Sequence, residues 1–387
     1  MKIALIGKGT SSIITALTCI KNGHEVEIYY DPNKDHLSVG ESTTPHIGML
    51  INEVLGVSIS EMCLENIASI KVGIDFIDWG KQNRFEHNFN NNQMAFHFES
   101  GEFNHYINSA LENSGIVKFI PQKVKGYKIV DNSVIINENV YDFVIFSNGW
   151  EKDLYYSPII ETVNSALLYT QDIGNHLHHT VHRATKDGWQ FGLPFPKRKL
   201  LKCGYLFNNK ITSESDIDLK RNNIKDFKKI DWVPRYSKSL IQNSFCAYNG
   251  NRLFFFEPLQ ALSLYYYKQF AEYICGFLNQ NIEERMHYYN NLYHYEIWAY
   301  QLSLAYHYSF GSKFDTTSSF WKNIKEKSLN FLNNVKPGNE ELFILNMKND
   351  LKYNTEYSKI GTFDVYDHKQ LYCGMKGISL DNLLYKL

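Results

Sequence analysis

Gly7-Lys8-Gly9-Thr10-Ser11-Ser12 has the residue types and spacing to hold a phosphate. In such a turn the first glycine permits the tight bend and the second lets backbone approach a pyrophosphate. The third small residue, here Ser12, lets helix and strand pack closely. The helix that follows then points its N–H groups at the anion. Ile3-Ala4-Leu5-Ile6 reads as a buried strand before the turn, Ile13 to Ile20 as the helix after it, and His24 to Tyr30 as a second strand. Asp31 follows about 20 residues after the turn, where an acid usually holds a ribose hydroxyl. Strand, turn, helix, strand and acid in that order point to a dinucleotide cofactor. The competing reading is an ordinary βαβ unit with a glycine turn.

Bulk properties narrow the class. The 387 residues carry a net charge of -1, which gives no electrostatic reason to bind nucleic acid or acidic membranes. Aromatic residues make up 15% of the chain, enough to line a pocket for a planar ligand as well as to fill a core. The cysteines, Cys19, Cys63, Cys203, Cys246, Cys275 and Cys373, form no CxxC pair, against a structural zinc site or a disulfide framework. The first strand begins at once and no run approaches the length of a membrane span, so the expectation is a cytoplasmic protein without a membrane segment.

The elements that must position these residues follow in order. Val39 to Pro45 is a polar loop that can start a helix through His46 to Leu55. Ile70 to Trp79 alternates as a single strand with Ile70, Val72, Ile74 and Phe76 on one face and Lys71, Gly73, Asp75 and Ile77 on the other, one face buried. Gly80 to Gln93, Asn-rich, reads as a loop, and Met94 to Phe98 as the approach to a helix over Glu99 to Asn113. Tyr141 to Ser147 is an apolar strand ending in Asn148-Gly149, as flavin folds close their first half. Leu167 to Phe207 is strand-like, and Leu264 to Leu278 and Ile282 to Tyr306 are helices whose aromatic stripe reads as core. The expected architecture is α/β: a Rossmann-like FAD-binding core of the flavin monooxygenase type, a substrate region of mixed sheet, and a helical C-terminal half. The stretches are 1–150 for the first part of the core, 151–245 for the substrate-side sheet, and 246–387 for a flavin-contacting loop and helices.

Taken together, several stretches resemble the flavin-dependent tryptophan halogenases. The glycine turn and Val39-Gly40-Glu41-Ser42-Thr43-Thr44-Pro45 look like that family's flavin-binding start. Ile70 to Trp79 is similar to its strand with an essential lysine, and Ala95-Phe96-His97-Phe98-Glu99 to the segment after its substrate lid. Gly188-Trp189-Gln190-Phe191-Gly192-Leu193-Pro194 resembles its GWxWxIP signature, and Gly250 to Leu259 its loop ending in EPL. His307-Tyr308, Asp315, Phe320-Trp321 and Tyr372-Cys373 extend the match in order along nearly the whole chain.

The resemblance implies FAD in its reduced form, FADH2, supplied by a separate flavin reductase, together with oxygen and a halide ion. These yield hypohalous acid, which crosses a tunnel to a lysine and is directed onto an aromatic carbon. It assigns catalytic roles to Lys71 and Gln260. Cofactor contacts fall to Gly7, Gly9, Thr10, Ser11, Ser12, Asp31, Glu41, Ser42, Thr43, Gly149, Gly250, Pro258 and Leu259. The halide falls to Leu262 and Ser263, and substrate or tunnel positions to His97, Trp189, Phe191, Pro194 and Tyr366. Read alone, Lys71 would be a solvated lysine on an alternating strand; partial burial would instead lower its pKa and favour a haloamine.

Three departures shape the expectation. Gln260 stands where the family has a glutamate, and an amide hydrogen-bonds without supplying charge. Ala261-Leu262-Ser263 replaces Ser-Thr-Gly, and Ser263 adopts φ > 0 less cheaply than glycine. The segment between Trp79 and Ala95 is short, and Val365 and Gly361 do not match the positions that grip a free amino acid. An electron-rich aromatic substrate that is bulky or carrier-bound, rather than free tryptophan, follows. A flavin monooxygenase or oxidase without halide use, and a non-catalytic flavin-binding protein, stay open as alternatives.

Overall fold

Lys2–Ile6 is almost wholly apolar, and in the computed structural model it lies in the middle of a parallel sheet, where both faces of a strand are covered. The structure describes residues 1–34, 39–90, 93–152, 154–279, 283–334 and 365–377. These fall into two compact units, each assembled from separate stretches of chain. The units interleave in sequence.

The first unit takes Met1–Ile70, Ala95–Ile159 and Pro234–His294. Its main sheet runs Ile241–Asn243, Cys246–Tyr248, Phe143–Phe146, Lys2–Ile6, Glu25–Tyr29, Val117–Ile120. Every pairing is parallel except that of the Ile241–Asn243 edge. Helix Thr10–Lys21 connects the first two strands and packs on helix Ser263–Leu278, whose Tyr266, Phe270, Ile274 and Phe277 are buried. The aromatic stripe of that helix is therefore core. This is the Rossmann-like α/β core that the sequence leads one to expect. A small sheet orders Gly40–Ser42, Ala95–Glu99 and Ala68–Lys71.

The second unit takes Lys71–Met94, Ile160–Val233 and Tyr295–Leu387. Its seven-stranded sheet is mixed, in the order Lys228–Asp231, Ser165–Asp172, Leu200–Phe207, Gly188–Phe195, His179–Thr185, Gly73–Ile77, Arg84–Asn88. The pairing of His179–Thr185 with Gly73–Ile77 is parallel, and the others are antiparallel. Pairing with His179–Thr185 places Gly73–Ile77 in this sheet.

Three local expectations are corrected. Ile70 to Trp79 is not one strand: Ala68–Lys71 and Gly73–Ile77 belong to different sheets and break at Val72. Nor is only one face buried, because Lys71 and Asp75 are as inaccessible as Ile74 and Phe76. Gly80 to Gln93 is not all loop, since Arg84–Asn88 is a strand that turns Phe85 and His87 inward. The alternation there was hidden by polar neighbours. Met94 to Phe98 contains a strand, Ala95–Glu99, and the helix begins at Ser100.

Candidate functional site

The glycine turn is built as its sequence requires. Gly7 has φ +127°, and a Cβ there would lie 2.7 Å from Ser12 Oγ and 2.8 Å from the Ser147 carbonyl. Ser12 is thus the small residue that lets helix and strand meet, and its buried hydroxyl has no hydrogen-bond partner. Gly9 is the N-cap of helix Thr10–Lys21, without a side-chain cap and with no acid in the first turn, which leaves the positive end of the helix available to an anion. Ser11 Oγ bonds Ser147 Oγ at 2.8 Å. Gly250, at φ +62°, would put a Cβ 2.3 Å from Ser11 Oγ, so this approach too demands glycine. Gly149 also has positive φ, at +89°. Asp31, at the end of the second strand, accepts from the Asn33 N–H at 3.0 Å and pairs with Lys123 at 3.4 Å.

Helix Ser100–Asn113 supplies residues that sequence reading missed. Ser100, Asn104 and Asn108, at i, i+4 and i+8, share a face. Ser100 Oγ donates to the Val39 carbonyl at 3.1 Å and helps hold down the Glu41 pKa, Asn104 Oδ1 lies 3.1 Å from Thr10 Oγ1, and Asn108 Nδ2 donates to the Lys8 carbonyl at 3.4 Å. The polar spacing of four is the signal that could have found them. Glu41 Oε1 lies 3.2 Å from Thr10 Oγ1, and burial of the carboxyl, only partly offset by Thr10 and Ser100, pushes its pKa up to about 7. Part of the Glu41 residue surface stays accessible even so. Ser42 ends the same strand, and Thr43 beyond it bonds the backbone of Phe96 through Oγ1. Asn249 was also missed: its amide bonds Thr15 Oγ1 at 2.9 Å and the Tyr267 carbonyl at 2.8 Å, while its oxygen accepts from Gly250 N–H.

These residues fit a dinucleotide such as FAD. The helix end behind the glycine turn is uncapped, and the buried Asn108 Oδ1 and Asn148 Oδ1 lack partners.

The Pro258-Leu259-Gln260-Ala261 segment is strained in a different place from that expected. Ser263 is the first residue of helix Ser263–Leu278, whereas Gln260 (φ 66°) and Ala261 (φ 56°) occupy the left-handed region. Two successive non-glycine residues there cost about 1–2 kcal/mol each. Leu262 is the N-cap of the helix and offers no side-chain acceptor, so the first N–H groups keep their pull on an anion.

The second unit holds Lys71, Trp189, Phe191 and Pro194. Lys71 is 0% exposed, and burial alone brings its ammonium down to about 7. Its Nζ lies 5.3 Å from the centre of the Phe89 ring. Phe76, His182 and Phe191 stand side by side across three strands. The His182 ring lies 5.4 Å from Phe76 and 4.9 Å from Trp189, and Trp189 lies 6.0 Å from Trp79. Gly188 belongs to the motif for a packing reason: a Cβ there would lie 1.9 Å from the Leu206 carbonyl. Burial, then the charge of Lys71 and that of His307, hold His182 well below the usual histidine range. His307 is pushed down to about 4, again mainly by burial. His182 was not singled out from sequence, although its alternation with Thr180 and Ala184 marks an inward face. Trp79 Nε1, Trp189 Nε1 and His182 Nδ1 are buried without hydrogen-bond partners.

Two expected substrate positions lie on other elements. His97 lies in the first unit on Ala95–Glu99, its Nδ1 3.4 Å from Ser69 Oγ. Tyr366 lies in helix Val365–Lys376, but its side chain is outside the described residues, as is Gly361. Among the described residues no helix is long and apolar enough to cross a membrane, and no group of three or more His, Cys, Asp or Glu could hold a metal.

The model of the tryptophan halogenase family matches residues 2–119. A tryptophan halogenase from Shewanella frigidimarina NCIMB 400 has the same fold at 15% identity, with a TM-score of 0.81 over 100% of this chain and 92% of that one. A tryptophan 6-halogenase from Streptomyces toxytricini gives 0.79 at 15% identity over 100% and 93%. The lanthipeptide tryptophan 5-halogenase MibH gives 0.78 at 16% identity over 98% and 86%. No curated protein matches the sequence significantly. The flavin-dependent halogenase fold thus extends through the chain, while the family's sequence pattern is recognised in its first third.

Proposed function

Starting from a divergent relative of the flavin-dependent tryptophan halogenases, we propose that the protein is a halogenase-like oxidoreductase. It would use FADH2, oxygen and a halide ion to make hypohalous acid, which Lys71 directs onto an electron-rich aromatic substrate. The observation that carries this reading is Lys71, a fully buried lysine whose pKa is brought to about 7. A structural lysine keeps its head in water; one held near neutrality in a dry setting is suited to chemistry.

Gly7, Gly9, Thr10 and Ser11 would hold the FAD pyrophosphate, Asp31 a ribose hydroxyl, Gly149 would leave room for the cofactor, and Gly250 would let its loop close on Ser11 behind it. When bound, reduced flavin supplies the electrons that activate oxygen against halide, and a separate reductase would supply it. The N–H groups at Leu262 and Ser263 would bind the halide. Lys71 then acts in either protonation state. As an ammonium it donates a hydrogen bond to the oxygen of the hypohalous acid and makes the halogen more electrophilic. As an amine it exchanges a proton for halogen, releasing water and leaving a haloamine; the halogen passes to an aromatic carbon, which loses its proton. The unpartnered N–H groups of Trp79 and Trp189 favour a ligand bearing acceptors in the same unit. A bulky or carrier-bound aromatic is the preferred substrate, and MibH, a lanthipeptide tryptophan halogenase, shares the fold.

Gln260 favours a second reading, a flavin monooxygenase or oxidase, because its amide cannot supply the charge of the family's glutamate. The deciding experiment is mass spectrometry of an aromatic substrate panel with FADH2, oxygen and chloride, bromide or iodide in turn. Halogenated product that vanishes in Lys71→Ala while flavin reoxidation continues is the expected outcome. Hydroxylated product, with every halide silent, would move the assignment to the monooxygenase. Absence of FAD binding would remove both.

A further inference from the structure

Thr10, the first residue of the helix behind the glycine turn, faces two oxygens with one hydrogen to give. Its Oγ1 lies 3.2 Å from Glu41 Oε1 and 3.1 Å from Asn104 Oδ1. A hydroxyl donates once, and a carboxylate and an amide oxygen only accept. With Glu41 ionised, one of these two short contacts sets oxygen against oxygen without a hydrogen between them. With Glu41 protonated, both are satisfied in one direction: Glu41 donates to Thr10, and Thr10 donates to Asn104.

We infer that Glu41 works as a neutral acid at the cofactor turn, so that FAD binding takes up one proton there. The inference rests on the flavin reading above. A pyrophosphate at the end of helix Thr10–Lys21 brings negative charge to the residue that Glu41 touches, and a carboxylate beside it would be repelled. The groups around the carboxyl give that charge no relief. Thr10 faces it from its helix, Ser100 and Asn104 from helix Ser100–Asn113, and the phenol of Tyr267 from helix Ser263–Leu278. On the small sheet its cross-strand neighbour is Phe98. Among the described residues no lysine, arginine or histidine is a named cause of its shift, and Tyr267 is itself held protonated by burial. The buried carboxyl therefore titrates near neutrality in the free protein, at about 7. Bound anion moves it further up.

The sign follows directly. Below neutrality the free protein already carries the proton and affinity for FAD is flat with pH. Above it each binding event must recruit a proton, and the dissociation constant rises up to tenfold per pH unit.

The test is calorimetric titration of the whole protein with oxidised FAD, between pH 6 and 8.5, in pairs of buffers with different ionisation enthalpies. Close to one proton taken up per FAD at pH 8 to 8.5, falling toward zero at pH 6, is expected. Glu41→Gln, whatever its affinity, should bind FAD without proton uptake and with the pH dependence above neutrality removed. FAD binding in the wild type with no proton uptake across the range overturns the inference; the Asn104 amide would then be turned over to give Thr10 its hydrogen. Proton uptake that persists unchanged in Glu41→Gln overturns it too, by placing the proton elsewhere. If Glu41→Gln does not fold, wild-type uptake still decides. Failure to bind FAD at any pH overturns both the flavin reading and this inference.

Discussion

Lys71→Met tests the buried lysine without touching its shape. The two side chains are of similar length, and methionine carries no charge to desolvate. In the folded protein burial lowers the Lys71 pKa from 10.5 to about 7, while in the unfolded chain it returns to its ordinary value. Between those values the unfolded state holds one proton more than the folded state. Stability therefore rises with pH across this window, and below about pH 7 the cost of burying the ammonium is felt in full. The slope is about 1.4 kcal/mol per pH unit, so moving from pH 7 to pH 9 should recover about 2–3 kcal/mol. The methionine variant has no such term. Parallel urea denaturation of both proteins at pH 7, 8 and 9 should show the variant more stable at pH 7, with its advantage shrinking by that amount at pH 9. Taking the difference at each pH cancels every other titrating group. A stability gap that stays constant from pH 7 to 9 would refute the argument, because Lys71 would then keep its proton in the fold.

Gly250→Ala should lower the melting temperature and weaken FAD binding at least tenfold, because its Cβ would displace Ser11 and its φ is +62°; a fluorescence titration at wild-type affinity would count against the close approach. Ala261→Gly should stabilise the protein by about 0.5–1 kcal/mol by relieving a left-handed alanine, net of glycine's greater entropy when unfolded, as read from denaturation midpoints. Trp189→Ala should cost about 3–5 kcal/mol, as expected for a fully buried indole packed on Trp79 and His182, and a loss under 1 kcal/mol would mean the site collapses around it.

The sequence by itself determined the glycine turn, because there each residue answers to its immediate neighbours. Gly7, Ser12 and the apolar run before them define strand, bend and helix within a few residues, and the structure builds them so. The aromatic core of helix Ser263–Leu278 was legible for the same reason, a period of three to four. What only the tertiary structure decided depends on contacts far apart in the chain. Alternation along Ile70 to Trp79 identifies two faces but not which sheet each half joins, so the break at Val72 and the burial of Lys71 were out of reach. The left-handed turn fell on Gln260 and Ala261 rather than Ser263, since it is the start of helix Ser263–Leu278 that fixes where the chain must bend. Glu41, Thr10 and Asn104 meet from three separate segments, and the contact of Thr10 Oγ1 with an oxygen of each is a fact of their packing, with no trace in local spacing.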